Sequence, residues 1–236
     1  MRGVLHVHSI FSDGEERLER IVQTFSDAGM NFIAVSDHAE VFDEQRMQEY
    51  VAVCDALSSA NFLVIPGLEF ALKGGSIHIL GYGITRRVRA PNMDQLVDGI
   101  HEAGGIAVLA HPPRGSINMV STITGKLDGV EIWNSRYDGT LTPRAGSIQL
   151  LRRIRSSNLN AAAFCGVDLH QIAQARKPIY VDVKTESLAR REIIHALRAG
   201  SFTLRGGNLV IPASGKLTFA QELSIAVRQP MCRPWL

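Results

Sequence analysis

Imidazoles and carboxylates recur in this sequence at spacings that suit a shared metal site. His6-Val7-His8 places two imidazoles two residues apart, and Asp168-Leu169-His170 repeats the spacing with a carboxylate. Residues two apart point to the same side of an extended chain, so each pair can reach one point. Ser36-Asp37-His38, Glu69, His78 and His111 add donors in or beside further apolar runs. Imidazole nitrogen mixed with carboxylate oxygen suits zinc, manganese or iron better than magnesium or calcium alone. A lone histidine at a strand end is more often a hydrogen-bonded structural residue. Here six of the eight histidines sit at or beside predicted strands. Burying so many imidazoles and carboxylates without a metal would be costly to desolvate, so convergence on metal is the better account. His101 and His195 fall within predicted helices and stand outside the cluster.

The elements that must position these donors are apolar runs alternating with amphipathic stretches. The pattern predicts strands over 4–7, 32–36, 62–65, 77–80, 106–110, 129–133, 161–167 and 179–183. Helices are predicted over 16–28, 43–58 and 92–103, with Leu18, Ile21, Val22 and Phe25 on one face of the first. Thr142-Pro143 reads as the start of a helix through Leu151 and Ile154, and Ser187 as the cap of one ending at Gly200. About seven βα units argue for an α/β protein with a closed or nearly closed barrel, not a sandwich or a bundle. Parallel strands closed in this way bring their C-terminal ends to one face, so donors spread from His6 to His170 would converge there. Turns at Gly206-Gly207-Asn208 and Pro212-Ala213-Ser214-Gly215 predict a terminal hairpin and helix closing the barrel floor. The expected organisation is one barrel over 1–205 with an extension over 206–236 packed on it. No long polar linker or solenoid repeat divides the chain.

Composition agrees with one such domain. The chain has 236 residues, 45% hydrophobic and 20% charged, enough for a large core and incompatible with a disordered chain. A net charge of +2 points to neither a nucleic-acid nor a membrane partner. Cys54, Cys165 and Cys232 are far apart, odd in number and form no CxxC, which argues against a disulfide framework and a zinc knuckle and suits a reducing cytosol. There is no apolar run long enough for a signal peptide or a membrane span, so a soluble cytoplasmic protein is expected. Gly74-Gly75 and Gly206-Gly207 lack the Lys-Ser/Thr of a phosphate-binding loop and read as turns.

Six segments in order carry a family resemblance. His6-Val7-His8-Ser9 with Ser12-Asp13-Gly14 resembles the opening motif of the polymerase and histidinol phosphatase (PHP) family. Ser36-Asp37-His38, Gly67-Leu68-Glu69, His78-Ile79-Leu80-Gly81-Tyr82, Ala110-His111-Pro112 and Gly166-Val167-Asp168-Leu169-His170 resemble its later motifs. The resemblance spans about residues 3 to 205 and implies a distorted (β/α)7 barrel with two or three divalent ions, Mn, Fe or Zn, at the C-terminal strand ends. It implies His6, His8, Glu69 and Asp168 around one ion, Asp13, His38 and His170 around a second, and a bridging Glu69 with His78 and His111 around a third. Many relatives have a histidine where this chain has Asp13; an oxygen donor there favours Mn or Fe over zinc. The alternative for Asp13 is a cap on the 16–28 helix.

Other positions have two readings each. Asp37 could orient His38 or shape a turn. Glu131, mid-strand in Val130-Glu131-Ile132, could serve structural hydrogen bonding or the site. Arg114 and Arg136 would lie on the ligand face, where a guanidinium suits bidentate phosphate contact. Arg152, Arg153 and Arg155 fit a solvated helix face.

The expected activity is hydrolysis of a small phosphate monoester or nucleotide by a metal-bridging hydroxide, with Asp168 or His170 shuttling the proton and Arg114 or Arg136 clamping phosphate. Only 56 residues separate His111 from Asp168, leaving little room for a large capping insertion. A second reading is an exonuclease or phosphodiesterase acting on RNA or DNA ends, for which Arg86-Arg87-Val88-Arg89 would supply the basic stripe. A third is a regulatory module without catalysis, against which the intact ligand positions argue. A small phosphorylated substrate is the expected partner, with no membrane and no obligatory nucleic acid.

Overall fold

Aliphatic and β-branched runs form the strands of the computed structural model, which describes residues 1–72, 74–113, 126–176 and 178–228. They are β1 (Arg2–Val7), β2 (Phe32–Val35), β3 (Asp37–His38), β4 (Leu63–Ile65), β5 (Gly67–Leu72) and β6 (Ile77–Tyr82). β7 (Ile106–Leu109), β8 (Gly129–Asn134), β9 (Ala162–Gly166), β10 (Tyr180–Val183), β11 (Phe202–Gly206) and β12 (Leu209–Pro212) follow. The helices are α1 (Leu18–Asp27), α2 (Glu44–Leu57), α3 (Met93–Glu102), α4 (Ser135–Asp138), α5 (Ala145–Arg155), α6 (Arg190–Arg198) and α7 (Phe219–Arg228).

The result is a mixed α/β fold with two mixed six-stranded sheets. One runs β12-β11-β10-β1-β2-β4, the other β3-β5-β6-β7-β8-β9. Ser36 alone separates β2 from β3, and Pro66 alone separates β4 from β5, so the same two stretches of chain pass from one sheet to the other. Proline has no N–H to give to a ladder, which suits a break at that point. Gly67 follows because the chains crowd there: an added Cβ would lie 2.6 Å from the Val35 carbonyl oxygen and 2.7 Å from that of Gly81. At the far edge, Val167 N donates to Leu5 O (2.9 Å), Leu169 N to His6 O (3.1 Å) and His8 N to Leu169 O (2.9 Å), tying the segment after β9 to β1.

The pairing departs from a regular βα repeat. β6 runs antiparallel to both β5 and β7. Too few residues separate Leu72 from Ile77 for a crossover helix, so the chain can only reverse. β10 is likewise antiparallel to β1. Strands β2, β4, β7, β8 and β9 are buried at every position, as strands covered on both faces are. The expected terminal hairpin is β11–β12, followed by α7.

Helices pack their apolar stripes on these sheets: Leu18, Ile21 and Phe25 from α1, Met47, Tyr50 and Cys54 from α2, Leu96, Val97 and Ile100 from α3. Asp43 caps α2 by accepting from Arg46 N, and Asn92 caps α3 by accepting from Gln95 N. Two helix starts differ from expectation. α5 begins after Arg144, not at Thr142-Pro143, because Arg144 N is still bonded to Ile132 O. α6 begins after Ala189, because Ser187 N is held by the Thr185 hydroxyl in a turn of its own. Among the described residues no helix is long and apolar enough to cross a membrane. Cys54 and Cys165 are free and buried.

Candidate metal centre

The first pair of donors reaches the site by a route that simple strand alternation does not foresee. The register between β1 and β2 shifts between Leu5 and Val7, and His6, at the bulge, has φ +62°. Asp168 has φ +55°. Each i, i+2 pair thus contains one residue in the left-handed region, so neither is an extended pair. Bulges re-aim side chains, and non-glycine residues held in this region cost on the order of 1–3 kcal/mol each. His78 is a second departure: it enters from the start of antiparallel β6, not from the C-terminal end of a parallel strand.

The other eight candidate donors nevertheless gather around Glu69, a buried residue of β5. Its two oxygens face different partners. Oε1 lies 2.7 Å from His78 Nδ1 and 3.0 Å from His111 Nε2. Oε2 lies 3.2 Å from His8 Nε2, 3.4 Å from His6 Nε2 and 3.8 Å from His38 Nδ1. Asp168 Oδ1 is 3.7 Å from His6 Nε2, 3.6 Å from His8 Nε2 and 3.4 Å from His170 Nδ1. Asp13 Oδ1 is 3.3 Å from His8 Nδ1, and Oδ2 is 3.4 Å from His38 Nε2 and 3.2 Å from His170 Nε2. Three donor groups are tight enough to hold an ion: His8, Asp13, His38 and His170; His6, Glu69 and His111; and His6, His8 and Asp168.

Burial opposes charge throughout this cluster, and opposite charges offset it. Burial would lower the pKa of His6, but the Glu131, Asp168 and Glu69 carboxylates hold it well above the usual imidazole value. Burial is also outweighed at His8, which Asp13 and Glu69 push up to about 9. Burial would raise Glu69, yet His6, His111 and His78 hold it far below the carboxylate range. Asp168 is lowered as well, the charges of His6, His111 and His8 overcoming burial. Contact with His8 is the chief cause of a lowered Asp13. Ionised carboxylates facing a ring of imidazoles form an arrangement in which a divalent ion can displace protons.

The residues fit a metal on a further observation. His8 is buried, and neither of its ring nitrogens makes a hydrogen bond, although both face carboxylate oxygens. An imidazole so placed lacks the partner that buried polar groups require, and a cation among these oxygens would supply it. Asp13 does not cap the first helix, since α1 starts after Arg17 without a side-chain cap. Asp37 holds the loop that carries Asp13: it accepts from Ser9 N (2.8 Å), Ser9 Oγ (2.8 Å) and Ser12 Oγ (2.6 Å).

Arg136 is half-exposed, donates to His170 Nδ1 and lies 3.8 Å from Asp168 Oδ1. Arg114 lies outside the described residues. His101 pairs with Asp128 Oδ2 at 2.7 Å, away from the cluster. Of three further neighbours, the sequence left Glu131 open between a structural and a site role and singled out neither Tyr137 nor Arg144. Glu131 Oε1 lies 3.0 Å from His6 Nδ1. Tyr137 and Arg144 line a cavity of about 430 Å³ with His78, Ala110, His111 and Pro113. Arg144 is fixed there by Asp138 Oδ1 (2.7 Å) and Pro112 O (3.0 Å). A carboxylate inside an apolar strand was the available signal for Glu131, because buried charges are almost always paired. Tyr137 and Arg144 carry no comparable signal.

A family model described as PHP domain matches residues 5–165. No curated protein matches the chain. Among solved structures, a two-domain Bacteroides vulgatus protein containing a predicted PHP-like metal-dependent phosphoesterase is 18% identical, with a TM-score of 0.66 over 96% of this chain and 69% of that one. At that identity the likeness is one of fold. A Chromobacterium violaceum amidohydrolase with bound sulfate and no metal is 16% identical over 71% of this chain and 87% of that one, with a TM-score of 0.48.

Proposed function

This chain belongs to the PHP domain family, and on that premise we propose that it is a metal-dependent phosphoesterase acting on a small phosphate monoester or nucleotide. The observation that carries the proposal is Glu69, whose two carboxylate oxygens face separate sets of imidazoles inside a cluster of nine donors. In this reading His6, His8, Glu69 and Asp168 hold one ion, Asp13, His38 and His170 a second, and Glu69 with His78 and His111 a third. Mn or Fe suits the mixed oxygen and nitrogen set with Asp13 better than three zincs. When bound, such ions neutralise charge on phosphoryl oxygens and acidify a water.

The chain's own residues supply the rest. Arg136, beside His170 and Asp168, offers a guanidinium to the phosphate oxygens. Asp168 or His170 is the group through which a proton would move, His170 only once Arg136 turns from its Nδ1 to the phosphate. The cavity of about 430 Å³ beside His78 and His111 suits a small leaving group. Near-neutral charge argues against tracking along a nucleic-acid backbone. In fold, the hydrogen bonds from Val167, Leu169 and His8 across β1, and the strands that pass between the sheets at Ser36 and Pro66, support a distorted seven-stranded barrel.

The test is a phosphoester substrate screen on purified protein, with metal content measured in parallel. The proposal expects two or more transition-metal equivalents per chain and turnover of small phosphomonoesters. Full activity without metal would overturn it, and rapid, salt-sensitive digestion of long RNA would favour an exonuclease instead.

A further inference from the structure

Glu131 touches more of the cluster than its contact with His6. Oε2 accepts from His111 N (2.8 Å) and from Asn134 Nδ2 (2.9 Å), and the same Asn134 amide reaches Asp168 Oδ2 at 3.3 Å. Glu131 and Asn134 are three residues apart in β8, which in a regular strand would place them on opposite faces. The β8–β9 register shifts between Glu131 and Trp133, and that irregularity turns both side chains to the site. Trp133 points elsewhere and donates its Nε1–H to Gly139 O. Across the ladder, an added Cβ at Gly166 would lie 1.9 Å from Glu131 Oε1 and 2.6 Å from His6 Cβ. Glycine at 166 therefore leaves the space that the carboxylate occupies.

We infer that Glu131 is a positioning residue that sets His6, His111 and Asp168 together. By accepting Nδ1–H of His6 it leaves the lone pair on Nε2, the nitrogen that faces Glu69 and Asp168. By accepting the His111 amide it anchors the backbone of a second donor, and through Asn134 it orients the carboxylate of a third. The inference rests on the metal reading above and adds a prediction of its own.

In Glu131→Gln, the amide oxygen can satisfy His111 N and Asn134 only by turning its NH2 toward His6. That presents a donor to Nδ1 and moves the ring proton to Nε2, where it blocks coordination. Mn(II) titration followed by electron paramagnetic resonance should show binding about 10–100-fold weaker in Glu131→Gln than in wild type, with activity recovering at excess Mn. Long-range proton–nitrogen spectra of the Zn-loaded protein should show His6 protonated at Nδ1 in wild type and a changed His6 signature in the variant. Should Glu131→Gln fail to fold, Asn134→Ala decides, with an expected loss of about threefold or more in Mn affinity. Wild-type Mn affinity in the folded variant overturns this inference alone. A wild type that binds no metal overturns the metal reading and this inference with it.

Discussion

The ladder of β10, β11 and β12 and the turn of chain around His6 and Asp168 obey opposite rules. In the ladder every strand is antiparallel and in register, and burial alternates along β10 and β11 as one covered face requires. Around the donors, His6 and Asp168 take left-handed backbone, two registers shift, and four carboxylates are packed against imidazoles. Local propensity explains the ladder. The donor region persists only because the surrounding sheets over-determine it, and such strain gathers where chemistry is done.

That contrast predicts separable losses. The largest is Glu69→Ala, which should cut the proposed phosphomonoesterase activity by roughly a thousandfold, equivalent to about 4 kcal/mol, and release metal in elemental analysis. His195→Ala, outside the cluster, should leave turnover and metal content near wild type. Leu204→Ala, at a buried position of β11, should instead cost about 2–5 kcal/mol in denaturant unfolding while the folded fraction keeps its metal. An unchanged metal content in Glu69→Ala, or metal loss in folded Leu204→Ala, would break the comparison.

Smaller effects sharpen it. Arg136→Ala should raise KM for a phosphomonoester about tenfold, near 1.4 kcal/mol, without changing metal stoichiometry. Asp13→His should shift the ratio of Mn- to Zn-supported rates toward zinc by a few-fold, since imidazole is the softer donor. An unchanged ratio at full occupancy would remove Asp13 from the ligand set. Val210→Thr, half-exposed on β12, should move stability by no more than about 0.5 kcal/mol.

Much of this was legible in the order of residues. Apolar runs marked most strands but not β3 or β5, which carry His38 and Glu69; Asp43 and Asn92 marked helix starts, and the nine candidate donors are neighbours in the fold. Thr142 and Ser187 misled, because a competing backbone bond at Arg144 and a turn at Thr185 outweighed their capping preference. Regular βα alternation was also too simple a frame for β6, where a short connection forced a hairpin.

Residue chemistry and periodicity are local properties, so the sequence by itself determined which side chains can donate to a cation and which stretches must be buried. Neither His6 nor Asp168 announces a left-handed backbone, because that conformation is held by contacts far away in the chain. The family resemblance implied a bridging Glu69, but only the tertiary structure decided which histidines each of its oxygens faces, and that Glu131 and Asn134 share one face across an irregular ladder. Those outcomes depend on strand register and bulges, which follow from how whole sheets fit together and not from any single residue's preference.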